Sequence, residues 1–263
     1  KPADFNACYN HASTLLRSKQ YPQAAKALAN LVKLKDPKKE KFLGRIHYLR
    51  GVTALRLGDK RQALQSLRAA VKAGNDSANV LARIGFLYMG KKKKRLAMKY
   101  FRKALKKDPK HGLALANVGG LLMRQGKVRQ ALPYLEKAAK VIEKGVGVRV
   151  NLGLAYLRVK KYKKALTPLA EAYKLQPELQ LCQLAYGVAL MFDKKVKKGT
   201  KLVVKAVRAN KKLAALLGGY VVPLANRKNL DGAIELLKAI LIAQPDNRVA
   251  KKNLLILLRR RGD

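Results

Sequence analysis

The residues of this chain that could do covalent or metal chemistry are few and scattered. They are His11, His47 and His111, Cys8 and Cys182, and 15 carboxylates among 263 residues. Cys8 precedes His11 by three residues and Asp108 precedes His111 by three, but neither pair has a third group nearby in sequence. Half a ligand set does not hold a structural metal. Gly145 and Gly147 lack the Lys-Ser/Thr that a phosphate-cradling loop requires, and no GxSxG nucleophile turn occurs. So few carboxylates leave little for paired acid/base work. The expectation is a protein with no catalytic residues, no cofactor and no metal. The two cysteines form no CxxC pair and read as small buried hydrophobes.

What the sequence has in abundance is cations: 59 Lys and Arg against 15 Asp and Glu, a formal charge of +44. Such an excess opposes compaction unless the fold is stable or an anion is bound. The basic residues are interspersed with 49% hydrophobic residues, which excludes low-complexity disorder. With 11 Tyr, 5 Phe and no Trp, a base-stacking platform is poorly supplied. No apolar run reaches the length of a membrane span; Leu213 to Ala225 is too short and contains Gly218, Gly219 and Pro223. The chain begins with Lys1; read as a mature terminus, this favours an exported protein of a bacterial envelope, and otherwise a cytoplasmic one.

Positioning those cations requires elements, and the elements repeat. Gly51, Gly85, Gly119, Gly153 and Gly187 stand 34 residues apart. Twelve residues after each come Ala63, Ala97, Ala131, Ala165 and Gly199, and seven further on Ala70, Ala104, Ala138, Ala172 and Ala206. Pro109, Pro177 and Pro245 mark unit ends. Between these marks the apolar residues follow helical spacing, as in Leu81, Ile84 and Tyr88, or Phe101 and Leu105. Small residues let two antiparallel helices approach closely, and a proline stops the second helix before the next unit. No lone helix pair can bury its apolar face, so the units must stack.

The spacing of Gly, Ala, Ala and Pro resembles the tetratricopeptide repeat over nearly the whole chain. The unit Ala78 to His111 is closest, with Leu81, Gly85, Tyr88, Ala97, Phe101, Ala104 and Pro109 on the family pattern. The resemblance implies an all-α fold, a right-handed superhelical solenoid of antiparallel helix pairs. Seven units over residues 1–247 would start near Phe5, Gly44, Ala78, Gly112, Val146, Gln180 and Ala214. A five-residue insertion around 37–41 lengthens the first, and a capping helix over 248–263 closes one continuous domain. Pro223 falls inside the seventh unit's first helix, where a kink is expected.

The repeat phase turns charge into position. The seven tight turns joining the two helices of each unit hold 20 basic residues in 42 positions. Stacking would align them into a basic edge, densest at Lys91, Lys92, Lys93, Lys94 and Arg95, at Lys160, Lys161, Lys163 and Lys164, and at Lys194, Lys195, Lys197 and Lys198. The resemblance also implies a concave groove lined by the first helices. Its sixth positions include Arg83, Asn117 and Asn151, amides suited to holding a peptide main chain. Its thirteenth positions include Arg124 and Arg158, able to clamp anions, and its twelfth Met89 and Met123, an adaptable apolar floor. The fifth and ninth positions lack the Lys and Asn with which some family members read chaperone tails.

The function expected is a protein–protein scaffold without catalysis, whose partners are acidic proteins or subunits of a larger assembly. The alternative is a polyanion, nucleic acid backbone or anionic lipid or glycan, held electrostatically. In the last helix Leu255 and Ile256 point away from the face formed by Ala250, Leu254, Leu257 and Leu258, a surface suited to self-association.

Overall fold

A computed structural model describes residues 4–262. Among these there are fifteen α-helices, one 3-10 segment and no strand. The helices are α1 (Phe5–Arg17), α2 (Tyr21–Lys33), α3 (Lys38–Arg56), α4 (Lys60–Lys72), α5 (Ala78–Gly90), α6 (Lys94–Lys107), α7 (Gly112–Arg124) and α8 (Val128–Val141). They continue as α9 (Val146–Arg158), α10 (Tyr162–Leu175), α11 (Gln180–Phe192), α12 (Val196–Ala209), α13 (Gly218–Asn226), α14 (Leu230–Ala243) and α15 (Arg248–Arg261). The 3-10 segment, Lys211–Leu216, precedes α13. The fold is all-α, built of stacked helix pairs. It divides into two compact units, Lys1–Leu121 and Leu122–Asp263, the division falling within α7.

The second helix of a pair ends where proline dictates. A residue before proline is driven out of the helical region. Accordingly Asp108 (φ −139°, ψ 98°), Gln176 (φ −143°, ψ 78°) and Gln244 (φ −136°, ψ 75°) all lie outside the helical region. Asn210 takes the same conformation without a proline, and its side chain accepts from the Lys212 N–H to start the 3-10 segment.

Within a pair the repeated small residues are the crossing point. A Cβ on Gly153 would sit inside the Leu169 side chain, and a Cβ on Gly187 would lie 2.8 Å from the Gly199 carbonyl oxygen. Helix backbones this close leave no room for a side chain. In the first unit the core begins with Phe5, Ala12, Leu28, Leu31 and Ile46, with Tyr9 and Phe42 packed on it. In the second it runs from Leu157 and Leu169 through Val188, Val203 and Leu224 to Leu237 and Leu257.

Two departures from the expected pattern have local causes. The residues inserted around 37–41 do not form a loop; they lengthen α3 to 19 residues. Their Lys and Glu are good helix formers, and Lys39 donates its Nζ to the Leu34 carbonyl at 2.8 Å. In the seventh unit Gly218 and Gly219 lower helix propensity and Pro223 removes an N–H, and the first helix is reduced to α13 behind a 3-10 segment. The last helix presents Ala250 and Leu257 to the core with Leu254 and Leu258 beside them, as its spacing implies, and leaves Leu255 and Ile256 exposed. Cys182 is buried, which raises its thiol pKa, and Cys8 is half-buried.

Candidate functional site: the basic turn edge

Every turn between the paired helices has the same backbone. After α5 the Lys93 N–H donates to the Tyr88 carbonyl at 2.9 Å and the Lys92 N–H to the Met89 carbonyl at 3.0 Å. This double closure requires a left-handed residue after the helix, a place where glycine is at ease. Glycine takes it twice, at Gly58 and Gly126. In the other five turns the left-handed residue is lysine: Lys19, Lys92, Lys160, Lys194 and Lys228, with φ of 60°, 59°, 63°, 63° and 58°. A Cβ in that conformation costs about 1–2 kcal/mol.

The next residue carries a second local penalty. Lys93, Lys127, Lys161 and Lys195 stand at the N-cap positions of α6, α8, α10 and α12, and none of these helix starts receives a side-chain hydrogen bond. The homologous Asp59 and Asn229 do cap, accepting from the Gln62 N–H at 2.8 Å and the Gly232 N–H at 3.0 Å. A lysine at a helix N-terminus faces the positive end of the dipole and satisfies no donor. That these lysines occupy the two turn positions least suited to them is visible only in the backbone.

All thirteen edge residues named from the sequence, Lys91 to Arg95, Lys160 to Lys164 and Lys194 to Lys198, are exposed lysines and arginines. Among the described residues their one ion pair joins Lys195 to Asp193 at 2.6 Å, a hydrogen bond that raises the Lys195 pKa. The carboxylates are committed elsewhere. Asp76 pairs with Lys107, Glu171 with Arg149 and Glu178 with Lys205, while Glu136 accepts from the Tyr156 hydroxyl at 2.6 Å. Burial and that acceptor push the Tyr156 phenol up to about 12. In the second unit an open depression of about 500 Å³ lies between consecutive turns, lined by Lys127, Arg129, Arg158 and Lys160.

A family model for the tetratricopeptide repeat matches residues 9–78, 48–112, 85–141 and 119–179. The chain is a tetratricopeptide repeat protein. No curated protein matches the sequence. Among solved structures, the C-terminal part of a tetratricopeptide repeat protein from Cytophaga hutchinsonii is 21% identical with a TM-score of 0.56, over 94% of this chain and 99% of that one. YrrB, described as a tetratricopeptide repeat protein with an unusual peptide-binding site, is 20% identical with a TM-score of 0.59, over 72% and 94%. PilF of Pseudomonas aeruginosa is 20% identical with a TM-score of 0.57, over 81% and 97%. At these identities the likeness is one of fold.

The groove residues expected of a tetratricopeptide repeat chain fare differently from the edge. In the first unit Arg83 is half-buried with its guanidinium 5.9 Å from the Tyr48 ring centre, Asn117 donates to the Leu113 carbonyl at 2.7 Å, and Met89 is half-buried. In the second unit Asn151 is half-buried and Arg124 exposed. Arg158 is exposed but engaged: it donates to the Met123 carbonyl at 3.4 Å, and its charge beside Tyr220 partly offsets the burial that raises that phenol's pKa. Met123 is a correction to the groove floor. It is only 7% exposed, so its thioether fills core space and offers no ligand surface.

The sixth repeat departs furthest. Its first helix, α11, carries no charged residue, and Ala185, Val188, Met191 and Phe192 on its expected groove side are all buried. Phe192 stacks on Tyr162 with ring centres 3.9 Å apart, and Tyr220 meets its edge at 6.3 Å. The sequence of α11, uncharged and apolar but for Gln180 and Gln183, was the available signal, since a helix apolar nearly all round is a buried one. The histidines are dispersed. His11 is exposed, half-buried His47 has its pKa lowered chiefly by burial, and His111 bonds Asn79 Oδ1 at 3.0 Å and accepts from the Ala114 N–H. Among the described residues no three His, Cys, Asp or Glu come together, and no helix is long and apolar enough to cross a membrane.

Proposed function

We propose that this chain is a non-catalytic scaffold that captures an acidic segment of a protein partner along the turn edge, with the first-helix groove as a secondary surface. Tetratricopeptide repeats are a general protein–protein interaction fold, typically without catalysis of their own, and the edge supplies the particular reading. The observation that carries it is the lysine at the left-handed position of five turns, where glycine would fold better. Positive charge is kept there against the local preference of the backbone. Buried α11 and the internal partners of Arg158 support the edge over the groove in the second unit. An acidic partner held this way is steered by long-range attraction and released by salt.

The test is a quadruple variant, Lys160→Glu, Lys161→Glu, Lys163→Glu and Lys164→Glu, compared with the unaltered chain in affinity purification from nuclease-treated cells. The four residues are exposed, and acids at the α10 N-terminus relieve like-charge repulsion, so a circular-dichroism melt no lower than that of the unaltered chain is expected. An acidic protein should co-purify with the unaltered chain and be lost from the variant. Capture that survives the charge reversal would remove the edge from the reading.

A further inference from the structure

A second basic surface lies outside both the turns and the groove. On α6 the residues Lys99, Arg102, Lys103 and Lys106 recur at helical spacing of three and four, and all four are exposed. Successive members rise by about 1.5 to 4.5 Å along the axis, so the four form one continuous stripe about 10 Å long. Arg68 and Lys72 hold the corresponding places on α4, also exposed, and both helices pack on α5. Neither α4 nor α6 contains a carboxylate. Among the described residues the one ion pair that reaches these helices joins Lys107 to Asp76. Within the α6 stripe the neighbours three and four residues apart are like charges, an arrangement that opposes the isolated helix. The one carboxylate that reaches it, Asp76, is paired with Lys107 and also feels Lys103, whose ammonium lies 5.9 Å from the Tyr100 ring centre.

We infer that this outer face of the first unit binds nucleic acid through its phosphate backbone. The inference is independent of the scaffold reading, which concerns other residues. The chemistry of the face selects the ligand. Folded-protein interfaces centre on buried aromatic or aliphatic anchors, and lysine is depleted from their cores, so the competing protein ligand is an extended acidic segment of the kind proposed for the turn edge. On α4 and α6 the one large apolar side chain left exposed is Leu96, at the first turn of α6. Membrane-surface helices likewise need an apolar face to bury among head groups. A phosphate backbone needs neither. It asks for Lys and Arg at short intervals, held in the open and unpaired, and it confers no sequence preference.

The experiment is fluorescence anisotropy with a labelled single-stranded RNA and a labelled DNA duplex, titrated across a range of salt. The probe variant is Lys99→Gln, Arg102→Gln, Lys103→Gln and Lys106→Gln, which keeps helix propensity. The control, Lys201→Gln, Lys211→Gln, Lys212→Gln and Lys252→Gln, removes equal charge from exposed positions of the second unit outside the turn edge. The stripe variant should bind at least about tenfold more weakly, with a log–log salt slope shallower by about 3 to 4 on duplex. The control should lose much less. Equal losses from both variants would reduce the effect to bulk charge and overturn the proposal, as would unchanged binding by the stripe variant. Stripe-dependent binding that is tighter to phosphatidylserine vesicles or to poly-glutamate than to either nucleic acid would overturn it as well. Thermal melts of both variants guard against unfolding.

Discussion

Five lysines hold a backbone conformation that glycine adopts freely, and each does so on an exposed turn with no side-chain packing to compensate. Exchanging Lys160 and Lys194 for glycine should therefore stabilise the chain, by about 1 kcal/mol for each site. Part of that gain will be lost to glycine's greater unfolded-state entropy. Urea unfolding should show a higher midpoint at an unchanged slope, and a midpoint that falls would show the left-handed lysines to be unstrained. The positions of these lysines were legible in the sequence once the repeat was phased, but their conformation was not. The run from Lys91 to Arg95 announces charge and gives no sign that Lys92 must close a turn designed for glycine. Only the paired hydrogen bonds to Tyr88 and Met89 make that visible.

At the scale of elements, the pairing of helices was the most legible part of the structure, because close approach leaves a mark in composition. Gly153 faces Leu169 with no room for a methyl group. Gly153→Ala should destabilise the second unit by about 1–3 kcal/mol through overpacking, read as a lowered melting temperature. The same change at Gly147, whose added Cβ meets nothing, should be nearly neutral or slightly favourable. The groove was less legible. Its residues were placed by homologous position, and position does not tell whether a side chain is spent on its own fold. Arg158 is taken up by the Met123 carbonyl and Tyr220, and Met123 by the core. The α6 stripe is hidden in the sequence for a related reason: its cations are interleaved with buried residues such as Phe101 and Ala104 and form one surface only along a helix face.

For the molecule as a whole, the charge of +44 is a stability term as well as a binding one. The carboxylates engage chosen neighbours, such as Lys107, Arg149 and Arg261, and leave most of the edge and of the α6 face uncompensated. Self-repulsion of this kind is screened over a Debye length of about 8–10 Å near physiological salt. The melting temperature should accordingly rise with added sodium chloride, the reverse of a fold held by surface ion pairs, and a melt insensitive to salt would argue against repulsion as a working force. Salt thus acts on two processes in opposite directions, strengthening the fold while loosening its anionic ligands.

The buried, uncharged α11 has a consequence for how this chain can be divided. Stacked repeats are often imagined as a cord that can be cut at any unit. Here the seventh unit supplies Leu217, Tyr220 and Leu224 to the same core as Val188 and Phe192, and Asn229 fastens its turn to the Met191 carbonyl at 2.5 Å. A cut before Lys211 would leave α11 with an oily flank and no charge of its own to keep it in water. The second unit is a closed parcel: its last turns are the wrapping of its middle, and the array has no stopping place there short of the end.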